Sequence, residues 1–348
     1  MTNPYSNLPP ERFWKSGVSE QHPCSIEGLY RKKFSIGRGT AIATAGSCFA
    51  QHIGTHLRRQ GYRVLDVEPA PPGMSEATAK NHGYGIYSAR YGNLYTARQL
   101  LQLTKAALGL EQPKEIVWTK GGRYFDALRP AVEPCGFATA DEVIFHRQRH
   151  LERVRTMIET MNLFIFTLGL TEAWIHKASG TAYPTAPGVV AGDYDPDIYE
   201  LKNFTHRETL IDMLDFRRLV KSVNGKVKFL LTVSPVPLTA TATDRHVLLA
   251  TTYSKSVLRA VAGEIESRFA DVDYFPSYEL IASPFSRGFF YSPNLRSVET
   301  EGVNAVMRVF FSAHKPAARA VRAQPEPASP ATADDVVCEE VMLEAFAK

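Results

Sequence analysis

The sequence predicts an α/β protein: a mostly parallel sheet covered by helices on both faces. Three observations predict it. The runs "TAIATAG", "NLFIFTL" and "KVKFLLTV" are strand-length and apolar, as strands buried on both faces are. Longer amphipathic segments alternate with them, which is the βα order of a parallel sheet. The segments just after the strands, "GSCF", "GLTEAW", "SPVPL" and "PSYE", are unusual in composition. In a parallel sheet all four gather at the carboxyl edge, where such folds bind their ligands.

The elements follow in order. Residues 1–38 begin Pro-rich and aromatic and read as an arm packed on the domain that follows, 39–314. A strand ending at Gly46 leads into a helix over 48–60, on which Phe49, Ile53 and Leu57 recur every four residues. Ser47 is placed to cap this helix and Gly61 to stop it. "YRVLDV" reads as a second strand, and 68–93 as loop. Thr96 and Gly109 bracket the next helix, and a hairpin is expected around "VWTKGGRYFDALRP". A long helix over 141–161 carries His146 and His150 among lysines and arginines, a pattern that reads as surface. After the strand 162–168, both "GLTEAW" and the Gly/Pro-rich "SGTAYPTAPGVVAGDYD" read as loop. A helix near 205–222, a strand over 226–233, a helix over 247–269, the strand "VDYF" and a helix over 300–314 complete the domain. Residues 315–348 form an Ala/Pro-rich stretch, expected to be a disordered linker, and an acidic end able to form a short helix.

Composition narrows the function. A formal net charge of +4 on 348 residues argues against a nucleic-acid binder. No apolar run approaches the ~20 residues of a membrane span. The N-terminal residues lack the apolar core of a signal peptide, so a cytoplasmic protein with reduced thiols is expected. Cys24, Cys48, Cys135 and Cys338 are scattered without a C-x-x-C pair, which argues against zinc or a disulfide framework. Neither a metal nor a cofactor is expected.

The candidate chemistry sits at the carboxyl edge. Cys48, in the first turn of a helix, is where a thiolate is stabilised. The competing reading is a buried structural cysteine. Ser47 is a second candidate nucleophile, or simply the helix cap. A base is needed within reach, and His246, after the strand "KFLLTV" and at the start of a helix, is on the correct edge. His52 and His56, four residues apart, read as a solvated helix face. Oxyanion donors are available from the first N–H groups of the Cys48 helix, from Gly92 and Asn93 in "RYGNLY", and from Thr171. Glu172 and Glu279 are carboxylates that could orient the histidine or bind substrate, and Ser234 opens "SPVPL" on the same edge.

These residues also carry a resemblance. Gly46-Ser47-Cys48-Phe49-Ala50 spells the motif of the GSCFA domain family, and "YGNLYTARQL", "TLGLTEAW", "TVSPVPL", "SKSVLRA" and "YFPSYE" look like that family too. The family is similar to the SGNH (GDSL-like) hydrolases. That similarity implies a three-layer α/β/α, flavodoxin-like fold and chemistry on ester-linked acyl groups, often of carbohydrates. It puts Cys48 in the nucleophile position, or Ser47 with a shift of one residue, and the oxyanion residues at Gly92 and Asn93. The third SGNH block, Gly-x-Asn-Asp, falls on Gly169-Leu170-Thr171-Glu172 and lacks its asparagine. The last block, Asp-x-x-His, is absent from "YSPNLRSVETEGV".

The expected function is acyl transfer through a covalent acyl-enzyme, as an esterase, deacetylase or O-acyltransferase. The expected partners are a small-molecule or carbohydrate ester and an acyl donor, with no nucleic acid and no membrane span. The alternative is a non-catalytic module that binds a carbohydrate or an acyl carrier. A third reading is an interaction protein that uses its tail.

Overall fold

The computed structural model describes residues 3–314 and 339–346. The stretch 315–338, expected to be the linker, lies outside the described residues. After the arm come β1 (Ile42–Gly46), α1 (Ala50–Arg59), α2 (Glu76–Asn81) and α3 (Ala97–Ala107). The hairpin β2 (Val117–Lys120) and β3 (Arg123–Asp126) precedes α4 (Ala140–Thr160) and β4 (Leu163–Leu168). Then follow β5 (Glu172–His176), β6 (Ala182–Tyr183), β7 (Tyr199–Asn203) and α5 (His206–Val223). The chain continues through β8 (Lys228–Val233), α6 (Val247–Arg268), β9 (Val272–Tyr274), α7 (Ser277–Ala282) and α8 (Thr300–His314).

The central sheet has the order β1-β4-β8-β9, and every neighbouring pair is parallel. Its strands are apolar throughout because both faces are covered. On β4, Phe164, Phe166 and Leu168 pack with α3, α4, α5 and α6 through Leu100, Val154, Phe216 and Leu258. The alternate residues Leu163 and Ile165 pack with α1, α7 and α8 through Phe49, Ile53, Leu280, Val306 and Phe310. These two apolar clusters make the three α/β/α layers. The arm closes the second face: Phe34 and Ile36 join its core, and the Tyr30 hydroxyl donates to Asp273 Oδ2 at 2.9 Å.

Four expectations need correction. Residues 68–93 are not all loop: Ser75 Oγ accepts from the Thr78 N–H and caps the short helix α2. "YRVLDV" is not a strand: its contact with the sheet is a single parallel bridge, Val64 to Ile42, because Val67 N–H turns away to Ser88 O at 2.9 Å. "GLTEAW" and the insertion after it are not loop. They contribute β5 and β6, which with β7 form an antiparallel sheet in the order β6-β5-β7. Strands this short bury enough only by sharing their faces, here Trp174 against Tyr183 and Tyr199, and Ala173 against Ala182 and Phe204. His150 and Arg147 are not surface residues. They are 1% and 4% exposed, His150 against Glu68 and Arg147 against Asp126.

Val64 beside β1 matters for the site. With it, the sheet order reverses between β1 and β4, and the crevice beyond their carboxyl ends is the switch point of a doubly wound sheet.

Candidate active site at the β1–β4 switch point

Glycine lets three segments meet at this crevice. Gly46 has φ +138°, and a Cβ there would lie 2.4 Å from Thr167 O. Ser47 N–H instead donates to Thr167 O at 3.1 Å, continuing β1 one residue past the strand. A Cβ on Gly169 would sit 2.9 Å from Ser47 Cβ. The third segment, 93–95, is held by Leu94 N–H to Gly46 O at 2.9 Å and by the N–H groups of Gly169 and Leu170 to Tyr95 O at 3.0 and 2.9 Å.

A buried polar cluster stands on this junction. The Tyr87 hydroxyl lies 2.5 Å from Asn93 Oδ1 and 3.0 Å from Ser47 O. Gln51 Nε2, from the first turn of α1, is 3.3 Å from both the Tyr87 hydroxyl and Asn93 Oδ1. The Asn93 carboxamide is thereby turned so that Nδ2 faces away from Tyr87, where it donates to Glu339 Oε2. The Tyr95 hydroxyl donates to the same oxygen at 3.0 Å. Two donors therefore converge on one carboxylate oxygen. The Tyr87 hydroxyl is held well above its usual pKa by burial, and also by the nearness of Cys48 and Glu339.

The nucleophile candidates sit in the turn between β1 and α1. Helix α1 begins at Ala50 with Phe49 as its N-cap, and no side chain caps it. The expectation that Ser47 caps α1 is therefore corrected. Ser47 lies too early in the turn, its carbonyl rather than its hydroxyl receives the Ala50 N–H, and its buried Oγ has no hydrogen-bond partner among the described residues. Cys48 precedes the N-cap Phe49, so the expectation that it stands in the first turn of the helix is corrected as well. It is 6% exposed and near enough to Tyr87 for its charge to raise the Tyr87 pKa.

The match of the family model for the GSCFA family spans residues 41–310. The chain belongs to the GSCFA family. No curated protein and no solved structure matches it. Gly46, Ser47, Cys48, Tyr87, Asn93 and Tyr95 all lie within the matched segment of this GSCFA chain, whereas Glu339 lies beyond it. Among the described residues, no helix is long and apolar enough to cross a membrane, and no group of three or more His, Cys, Asp or Glu could hold a metal ion.

The remaining candidates of the GSCFA domain are spread along the same edge. Gly92 takes φ +68° in the turn before Asn93. The Thr171 hydroxyl donates to Asn203 Oδ1 at 2.7 Å, and its N–H donates to Ser254 Oγ at 3.0 Å. Glu172 opens β5, accepts from the Thr241 hydroxyl at 2.9 Å, and has its pKa raised by burial. Ser234 N–H donates to Leu168 O at 2.8 Å, which ties the end of β8 to the end of β4. Glu279 pairs with Arg259 Nε at 2.5 Å and accepts from the Tyr274 hydroxyl at 2.8 Å, so it ties α7 to α6 and β9 rather than serving the Cys48 turn. His246 is exposed and caps α6, its Nδ1 accepting from Leu248 N–H at 3.1 Å. The next residue, Val247, packs with Tyr95 and Leu170.

Several site residues escaped the sequence reading. Tyr87 and Gln51 orient Asn93, Tyr95 supplies the second donor, and the buried Lys255 ammonium donates to Gly169 O at 2.8 Å. His52, one helical turn after Cys48, lines a cleft of about 350 Å³ with Gln51, His56, Arg59, Lys80 and Tyr84. Burial, then the neighbouring His56 and Lys80, lower its pKa to about 4, so it is neutral at pH 7. A family motif pointed to Cys48 and Asn93. Tyr95 and Lys255 lie in the family-like segments "YGNLYTARQL" and "SKSVLRA" without being singled out there, and Gln51 and Tyr87 carry no local signal beyond being polar in an apolar context.

Proposed function

We propose that this protein is an acyl-transfer enzyme that forms a covalent acyl-enzyme on Cys48. The observation that carries the reading is the convergence of Asn93 Nδ2 and the Tyr95 hydroxyl on one anionic oxygen beside the Cys48 turn. Paired donors of this kind are what a tetrahedral oxyanion requires. In the proposed reaction the Cys48 thiolate attacks the ester carbonyl carbon, and the carbonyl oxygen takes its charge into the seat between Asn93 and Tyr95. Collapse breaks the C–O bond. The alcohol leaves with the proton taken from the thiol, and the acyl group remains as a thioester. Water, or a hydroxyl of an acceptor, then attacks the thioester carbonyl and restores the thiol.

His246 is the proposed proton shuttle, supported by its place at the sheet edge next to Val247. His52, neutral and on the helix that follows the Cys48 turn, is the alternative base. The polar cleft beside Gln51, with both charges and Tyr84 on its walls, suits a hydroxylated acceptor such as a carbohydrate. The similarity to SGNH hydrolases belongs to the same proposal, supported by the layered α/β/α architecture and the position of the Cys48 turn after β1. A binding module without turnover is the second reading, favoured by the use of His246 Nδ1 as a helix cap. The test is incubation with p-nitrophenyl acetate followed by intact-mass measurement. A +42 Da adduct lost in Cys48→Ala supports the enzyme, and neither adduct nor turnover from folded protein favours the binding module.

A further inference from the structure

The oxygen in the seat belongs to the protein's own C-terminal segment. Residues 339–346 form a short 3-10 helix, and Glu339 is 3% exposed. Its Oε2 takes both Asn93 Nδ2 and the Tyr95 hydroxyl, while its Oε1 lies 3.6 Å from where a Gly92 Cβ would be. Farther along, Glu344 Oε1 approaches Arg296 Nη1 at 3.9 Å. Met342 and Phe346 remain exposed. This segment is therefore not held as core is held. A buried carboxylate keeps its place only where donors replace its lost hydration, so the described contacts concentrate the hold on one side chain.

We propose that the Asn93–Tyr95 seat is a carboxylate-binding site whose resident ligand is the chain's own Glu339, and that the C-terminal segment thereby acts as a tethered competitor at the site. Tethering gives such a side chain an effective concentration on the order of millimolar. A ligand that displaces it must offer a carboxylate or an ester carbonyl oxygen to the same donors, and small carboxylic acids released by ester cleavage belong to that class. The effect on turnover rests on the acyl-transfer reading. The occupancy rests on the contacts alone.

The test uses the full chain and reads the rate of Cys48 alkylation by iodoacetamide, resolved by peptide mapping, with the half-buried Cys24 reporting on the fold and the exposed Cys135 on the reagent. Glu339→Ala is expected to speed Cys48 labelling by about tenfold or more, because the tethered carboxylate no longer occupies the seat near Cys48. Propionate in the tens of millimolar is expected to slow it again, and the neutral isostere propionamide is not. Glu339→Gln, which keeps the volume and loses the charge, is expected to label severalfold faster than the parent, and it decides the matter if the alanine variant does not fold. Equal Cys48 rates in the parent and the folded variants, or a gain that propionate does not reverse, overturns the proposal. With p-nitrophenyl acetate the variants should show a lower KM at similar kcat. If no form turns over while labelling still follows the carboxylate, the seat stands and the enzyme reading falls. If every form turns over with one KM, the competitor falls and the enzyme stands.

Discussion

The Tyr87 hydroxyl sits 2.5 Å from Asn93 Oδ1, and this contact decides which way the Asn93 carboxamide faces. Gln51 Nε2 approaches the same oxygen, so the amide nitrogen is left to point into the seat. Tyr87 is thus a positioning residue that acts through Asn93. Tyr87→Phe removes a buried hydroxyl hydrogen bond and leaves Asn93 Oδ1 with Gln51 Nε2 and Ser47 O with the Ala50 N–H, so it should cost about 1 kcal/mol of stability. With the carboxamide free to turn, kcat on p-nitrophenyl acetate should fall about tenfold or more while KM changes little, because the lost contact is made to the transition state. A variant that loses stability but keeps kcat would show that Tyr87 is only structural.

Gly46 is fixed by two separate constraints. Its φ of +138° is a conformation that side chains rarely adopt, and its missing Cβ leaves room for the Thr167 backbone at 2.4 Å. Backbone cannot swing aside as a side chain can. Gly46→Ala should therefore cost more than ~3 kcal/mol, as strain and clash add, and thermal unfolding will show it. An alanine variant with the parent's melting temperature would mean that β1 and β4 separate easily at this end.

The buried histidines make folding sensitive to acid. An unfolded imidazole takes up its proton near pH 6.5, but burial, and then Arg129 nearby, hold His150 neutral down to about pH 4. Between those values the unfolded chain binds more protons, so stability is lost as the pH falls. His52 and His314 are lowered to about 4 in the same direction, both mainly by burial. Glu68 extends the trend: burial opposes its ionisation, but His150, Arg129 and the Arg90 N–H outweigh it and hold its pKa near 2. The urea midpoint should fall steadily from pH 7 to pH 4, with His150 contributing on the order of 2–3 kcal/mol. His150→Gln should flatten that slope, and an unchanged slope would place the acid sensitivity in other groups.

What could be read from the sequence was what is local. The Thr96 cap of α3 and the hairpin turning at Gly121-Gly122 are written in adjacent residues, and both form as expected, Gln99 completing the cap as a capping box. The β5–β7 sheet was not legible. Its strands are two to five residues long and lie in Gly/Pro-rich surroundings, so tertiary pairing decides them rather than periodicity. The site divides the same way. Cys48 and Asn93 stand in recognisable motifs, whereas Glu339 reaches Asn93 across 246 positions of sequence. A side chain that arrives over such a separation leaves no pattern near the residues it meets. The supposed Ser47 cap failed for a geometric reason: the chain makes one more turn before α1 begins.

That extra turn separates the two nucleophile candidates. Since Ser47 caps nothing and its buried Oγ has no partner among the described residues, Ser47→Ala removes an unsatisfied group instead of a cap. Its stability should change by less than about 1 kcal/mol, and a small gain is the natural direction. A serine nucleophile also needs a base on its hydroxyl, and among the described residues none is hydrogen-bonded to Ser47 Oγ. Cys48 is near enough to Tyr87 for its charge to raise the Tyr87 pKa, and it needs less help, because a thiol ionises far more easily than a hydroxyl. Cys48→Ala should therefore abolish acyl-adduct formation with p-nitrophenyl acetate, while Ser47→Ala keeps most of it. The adduct, mapped by peptide mass, should lie on Cys48. An adduct on Ser47, or turnover that disappears with Ser47→Ala and survives Cys48→Ala in folded protein, would reverse the assignment and move the nucleophile one residue back along the turn.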